Sequence, residues 1–60
     1  MSLPKDPLML LSYVNTQLRD NFPSLEEFAK SLGEDEGAIR GTLENAGFIY
    51  DADLNRFVAK

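Results

Sequence analysis

Apolar residues recur with helical spacing in three successive stretches of this 60-residue chain. The first helix is predicted to begin at Asp6, because aspartate followed by proline is a typical helix start, and to run to about Asn21. Residues 1–5 precede it as a loose arm. One side of its helical wheel collects most of its aliphatic residues, which we expect to face the core. These predicted core residues are Leu8, Leu10, Leu11, Val14 and Leu18.

The second and third helices are predicted on either side of Gly33, which suits the left-handed position after a helix end. Ser24 and Glu27 form a capping box at the start of the second helix. Its apolar stripe comprises Leu25, Phe28, Ala29 and Leu32. Asp35 is the predicted cap of the third helix, and Gly47 ends it. The predicted buried stripe of that helix comprises Ile39, Leu43 and Ala46.

After Gly47 the apolar period changes to two, which is typical of strands. "FIYD" and "RFVA" flank the turn-rich "ADLN" and predict a β-hairpin with a four-residue loop. The predicted cross-strand pairs are Tyr50–Phe57, Ile49–Val58 and the ion pair Asp51–Arg56. We therefore predict one mainly α domain over residues 1–60, with three helices over 6–47 and a C-terminal β-hairpin over 48–59.

Three residues indicate a helix-turn-helix arrangement. Ala29 lets two helices approach, Gly33 makes the turn, and Ile39 ties the third helix to the core. The hairpin that follows is similar to the wing of winged-helix domains, although no segment predicts the short strand common between their first two helices. The alternative is three ordinary helices joined by short loops.

The residue types of the chain argue against catalysis. It contains neither cysteine nor histidine, so it lacks the usual zinc ligands and the usual general base near neutral pH. "DADLN" begins like a calcium loop, but Arg56 occupies the sixth position, where glycine is needed. The serines have no histidine to activate them. We expect no enzymatic activity and no bound metal or cofactor.

The net charge of −4 argues against anionic partners, both nucleic acid and membrane surfaces. On the outer face of the third helix Arg40 stands between Glu36 and Glu44, so little would neutralise phosphates. The apolar run at residues 8–11 is too short for a signal peptide, and no run reaches the ~20 apolar residues of a membrane span. We expect an intact cytoplasmic chain.

Met9 and Tyr13 lie one helical turn apart, opposite the predicted core face of the first helix. One interpretation is an apolar surface for a protein partner or a weak homodimer. The other is intramolecular, with the hairpin or the arm at Leu3 and Pro4 folded over the pair.

Gly37 and Gly41 flank Arg40 on the outer side of the third helix and complete the candidate partner surface. Each glycine costs a helix ~1 kcal/mol relative to alanine. They either provide a surface where another backbone packs closely or are tolerated on a solvent face. The sequence therefore favours a non-catalytic protein-interaction module, and the alternative is a DNA-binding or transcription-linked winged-helix-like domain.

Two stretches, "LPKDPLMLLSYVNTQLRD" at 3–20 and "YDADLNRF" at 50–57, resemble a family of small bacterial proteins known only as a domain of unknown function. The resemblance implies a bacterial cytoplasmic protein and supplies no activity, ligand or catalytic residue. It also implies that the arm matters, and we expect Leu3 and Pro4 to pack back on the domain, against the hairpin.

Overall fold

A computed structural model describes residues 3–60, and residues 1 and 2 of the predicted arm lie outside the described part. Three helices are followed by a two-stranded antiparallel sheet, in the predicted order. The elements are α1 (Pro7–Asp20), α2 (Leu25–Leu32), α3 (Glu36–Asn45), β1 (Phe48–Asp51) and β2 (Arg56–Ala59). This confirms the predicted mainly helical fold with a C-terminal hairpin.

Each helix begins directly after its predicted capping residue. The Asp6 carboxylate accepts from the N–H of Leu8 at 3.0 Å, and the Asp35 carboxylate accepts from the N–H of Gly37 at 3.1 Å. Ser24 accepts from the N–H of Glu27 at 3.2 Å, which is half of the predicted capping box. Within residues 3–60 the Glu27 side chain makes no return bond and stays exposed.

Glycines with positive φ follow the second and third helices. Gly33 lies in the left-handed region at φ +70° and ends α2. Gly47, at φ +98°, lies between α3 and β1. The prediction that Ala46 is buried was wrong, because α3 ends at Asn45 and Ala46 is its exposed C-cap. The helical spacing of apolar residues predicts burial only within the helix, and Ala46 lies beyond its last residue.

Phe28 is fully buried at the centre of the core. Its ring contacts Phe22 and Tyr13 edge-on, with centroids 5.4 Å and 6.2 Å away. The rest of the buried core is Leu10, Val14, Leu18, Leu25, Ala29, Ile39, Leu43 and Phe57. Two predicted core residues, Leu11 and Leu32, are only partly buried against it.

Leu8 does not belong to the core, contrary to prediction, and is 64% exposed. The buried residues of α1 are Leu10, Val14 and Leu18, so its inner face is centred on Val14. Leu8 lies roughly 120° around the helix from Val14. The five predicted core residues of α1 are spread over a wide arc of the helix surface. The other elements cover only part of that arc, which leaves Leu8 exposed.

The hairpin has the predicted register, with Tyr50 opposite Phe57. The predicted ion pair between Asp51 and Arg56 is absent from residues 3–60, although the two residues face each other. The Asp51 carboxylate instead accepts from the backbone N–H groups of Asp53 at 2.9 Å and Leu54 at 3.2 Å. Both bonds go to Oδ1 of the carboxylate, which folds over the loop and does not pair with Arg56.

Asn15 fixes β2 to α1. Its side-chain carbonyl accepts from the N–H of Phe57 at 2.8 Å, and its amide donates to the Phe57 carbonyl at 3.1 Å. An amide side chain carries the same donor and acceptor as a peptide unit. Asn15 therefore pairs with the strand as a neighbouring strand would.

Asn55 joins the hairpin loop to the end of α1. Its amide donates to the carbonyls of Leu18 at 3.1 Å and Phe22 at 3.0 Å, and its carbonyl accepts from the Tyr50 hydroxyl at 2.6 Å. That hydroxyl also accepts from the N–H of Leu25, the first residue of α2, at 3.3 Å. One side chain and one hydroxyl thus satisfy backbone groups at two helix ends.

Candidate protein-interaction surface

Leu8 and Met9 are adjacent at the start of α1, and their side chains are 64% and 62% exposed. Met9 borders a shallow depression of about 400 Å³, which we call the α1 groove. It is lined by Pro4, Met9, Ser12, Tyr13 and Thr16. Met9 therefore meets solvent within a concave surface, and Leu8 is exposed next to it in the sequence without lining the groove.

Met9 and Tyr13 both line the α1 groove, but only Met9 is largely exposed. The Tyr13 ring packs edge-on against Phe28 and is half-buried, so it forms part of the groove and supports the core. Tyr13 lies roughly 100° around α1 from Val14, at the margin of the inner face, where a long ring reaches α2. Met9, further around the helix, remains outside.

The arm packs on the helices and not on the hairpin, so its predicted location was wrong. Leu3 is partly buried against the core. The arm borders a second depression, of about 270 Å³, between α1 and α3. Its lining comprises Leu3, Pro4, Lys5, Leu10, Glu34, Ala38, Ile39 and Thr42. Pro4 lines both depressions, so the arm forms one side of the α1 groove without covering Met9.

The α3 residues predicted for the partner surface do not line the α1 groove. The guanidinium of Arg40 lies 2.9 Å from the Glu36 carboxylate and 5.3 Å from the centre of the Tyr50 ring. The N–H of Gly37 belongs to the cap of α3, and Gly41 faces open space. The structure thus separates Met9 and Tyr13 from this second group.

Three ion pairs hold half of the basic side chains within residues 3–60. They are Arg19–Asp20, Lys30–Glu26 and Arg40–Glu36. The hydrogen bond from Arg19 holds the pKa of the Asp20 carboxyl below its ordinary value. All three basic residues therefore already have an acidic neighbour, and the remaining excess of acid gives the net charge of −4.

We expect no binding to duplex DNA at micromolar protein and moderate salt, because Arg40 is held by Glu36 and the chain is acidic. A gel-shift assay measures this. The matched control replaces Glu36 and Glu44 by lysine, which raises the net charge by four, from −4 to zero. A shift by the unaltered protein that weakens steeply with salt would contradict the expectation.

Within residues 3–60, no three acidic side chains are grouped so that they could hold a metal ion. In the same part of the chain, none of the helices combines the length and the apolar character that crossing a bilayer requires.

The family described as a domain of unknown function (DUF4250) matches residues 4–57. The chain belongs to this family. No curated protein and no solved structure matches it. The helix-turn-helix and winged-helix interpretation of this DUF4250 chain is therefore not confirmed.

Much of what the two DUF4250-like stretches carry is structural. Asp6 caps α1, Asn15 binds β2, and Tyr50 with Asn55 joins the loop to two helix ends. The spacing of apolar residues did not single out Asn15. The available signal was an amide three residues before Leu18, close to the inner face of α1. The large apolar side chains that are exposed in the first stretch, those of Leu8 and Met9, make no such contact.

Proposed function

We propose that this DUF4250 chain is a non-catalytic protein-interaction domain that binds an apolar segment of a partner protein at the α1 groove. The observation that carries the proposal is the exposure of Met9 in the lining of that groove, with Leu8 exposed next to it in the sequence. A large apolar side chain in water is common when single, whereas two together beside a concavity are typical of a binding surface.

The groove combines rigid and adaptable components. Tyr13 is held from below by the ring of Phe28, so its exposed side keeps one position. Met9 is unbranched and adapts to irregular partners. Ser12 and Thr16 add hydroxyl groups at the margin, which suits a polar border around an apolar centre. An apolar segment with a few polar groups of its own fits this arrangement.

The non-catalytic part of the proposal is supported by the residue types of the whole chain. Histidine and cysteine are absent from the sequence, so a nucleophile–base pair of the usual kind has no members.

A photo-crosslinking amino acid at position 9, introduced in the native host, tests the proposal. We expect one cross-linked protein species, and we expect it to disappear when Leu8 is also replaced by serine. The matched control places the same amino acid at position 44, an exposed site on α3. Identical cross-linked species from both positions would contradict the proposal.

Replacing Met9 by alanine should leave folding nearly unchanged, because the side chain is exposed. We expect a change in the free energy of unfolding of less than ~0.5 kcal/mol, measured by thermal melting. This separates a loss of binding from a loss of structure. Tyr13 is unsuitable for the same experiment because its ring contacts Phe28.

A further inference from the structure

The two edges of the hairpin differ in how their backbone groups are used. Lys60 donates to the Gly47 carbonyl at 2.9 Å, so the hydrogen-bonded pairs of the register continue at Ile49–Val58 and Asp51–Arg56. The residues between these pairs direct their N–H and C=O groups away from the partner strand. They are Phe48 and Tyr50 on β1, and Phe57 and Ala59 on β2. At the β2 edge, Asn15 binds both groups of Phe57.

The β1 edge has no equivalent of Asn15. The outward N–H and C=O groups there belong to Phe48 and Tyr50, and nothing within residues 3–60 donates to or accepts from them. Between them Ile49 directs its side chain to the outer face of the sheet, where it is 41% exposed. An unpaired edge of this kind is a template for another strand.

We propose that a second copy of this chain pairs antiparallel with β1 about a two-fold axis at Ile49. In this register Phe48 of each copy faces Tyr50 of the other, and each such pair exchanges two backbone hydrogen bonds. All four outward groups of each β1 are then satisfied. The two Ile49 side chains meet as a non-hydrogen-bonded pair, in which side chains approach most closely.

The charges along β1 fit this register. Asp51 of one copy lies opposite Gly47 of the other, so the carboxylates of the two copies do not face each other. Ile49 also has Val58 beside it on the same face, across the hairpin. The centre of the joined sheet is therefore apolar, and no like-charged pair is placed across the axis.

A second copy is favoured over a strand of another protein because the assembly closes. The joined sheet has the order β2–β1–β1–β2, and both of its outer edges are β2 strands, at which Asn15 already binds Phe57. Of the outward backbone groups of each β2, those of Phe57 are already bound and only those of Ala59, the last residue of the strand, are left. Such a short remnant is a poor template for a further strand, so the product is a finite dimer and not a fibre. Because β1 has four residues, the contact is small and we expect a dissociation constant weaker than about 1 μM.

Amide hydrogen exchange followed by NMR tests the proposal with internal controls. Between ~10 μM and ~1 mM protein, a range set for a weak small interface, we expect protection of the Phe48 and Tyr50 amides to rise at least tenfold. The Ile49 and Val58 amides are bonded within the hairpin and should stay protected throughout. A monomer at the highest concentration, or a dimer that leaves the Phe48 and Tyr50 amides unchanged, overturns the proposal.

Charged substitutions at position 49 test the register. Ile49→Lys and Ile49→Glu should each be monomeric by sedimentation, since like charges would face each other across the axis. An equimolar mixture should restore a one-to-one dimer. Val58→Lys is the matched control, because the two copies of residue 58 lie about 14 Å apart in the joined sheet, and it should still dimerise. Failure of the mixture to associate, with both variants folded by circular dichroism, overturns the register.

This dimer is independent of the α1 groove. A cross-link from position 9 that is lost with Leu8→Ser, together with a monomer at every concentration, would support the proposed function and overturn the dimer. Concentration-dependent protection of β1 without a specific cross-link would do the reverse.

Discussion

Replacing Phe28 by alanine is expected to remove most of the stability of the folded chain. Phe28 is fully buried and contacts the rings of both Tyr13 and Phe22, so its loss leaves a cavity that α1 and α2 cannot close. Substitutions of this kind cost about 3–5 kcal/mol. A chain of this size has a total stability of roughly 3–9 kcal/mol. Thermal and urea unfolding should show a protein that is unfolded or nearly so at 37 °C.

Phe28→Leu is the graded control, because it keeps an apolar side chain in the same space and should lose less. Met9→Ala is the surface control. An alanine variant at position 28 that melts within a few degrees of the unaltered protein would contradict the central position assigned to this ring.

Asn55→Ala is expected to have the second largest effect, a loss of about 2–4 kcal/mol in the free energy of unfolding. The carbonyls of Leu18 and Phe22 lose their donor, and the Tyr50 hydroxyl loses its acceptor. Partly buried polar groups without partners are costly because they have also given up water. Chemical denaturation with a two-state analysis gives the value.

Asn55→Gly separates the two roles of this residue. Asn55 has a φ of +54°, in the left-handed region that alanine tolerates poorly and glycine freely. The glycine variant should lose the side-chain hydrogen bonds but still adopt the left-handed backbone conformation without strain. It should therefore be more stable than the alanine variant by ~1 kcal/mol. Equal stability of both variants and the unaltered protein would show that the amide does not hold the loop to α1.

The parts of the fold that depend on short-range chemistry were predictable from the sequence. Asp6, Ser24 and Asp35 cap their helices because a short polar side chain before an apolar period bonds the first free N–H groups. The register of the hairpin followed from the four-residue loop predicted between "FIYD" and "RFVA", which sets Tyr50 opposite Phe57.

The parts that depend on long-range packing were not predictable in the same way. A helical wheel gives the angle of Leu8 but not how far the neighbouring elements extend around α1. Tyr13 is half-buried because Phe28, on another helix, lies within reach of its ring. Asn15 binds a strand 42 residues away, and no local pattern marks such a contact. The sequence placed Met9 and Tyr13 on one side of α1 but could not give their different burial.

The bonds between Asn15 and Phe57 also bear on the timing of folding. They join the first helix to the last strand across 42 residues, so the intervening chain must exist before they can form. During synthesis at ~5–20 residues per second, α1 and α2 emerge first and lack the element that completes their packing. The core residue Phe57 arrives with the hairpin, and it is also the partner of Asn15. The domain therefore completes its fold only after the hairpin has left the ribosome, in one late and cooperative event.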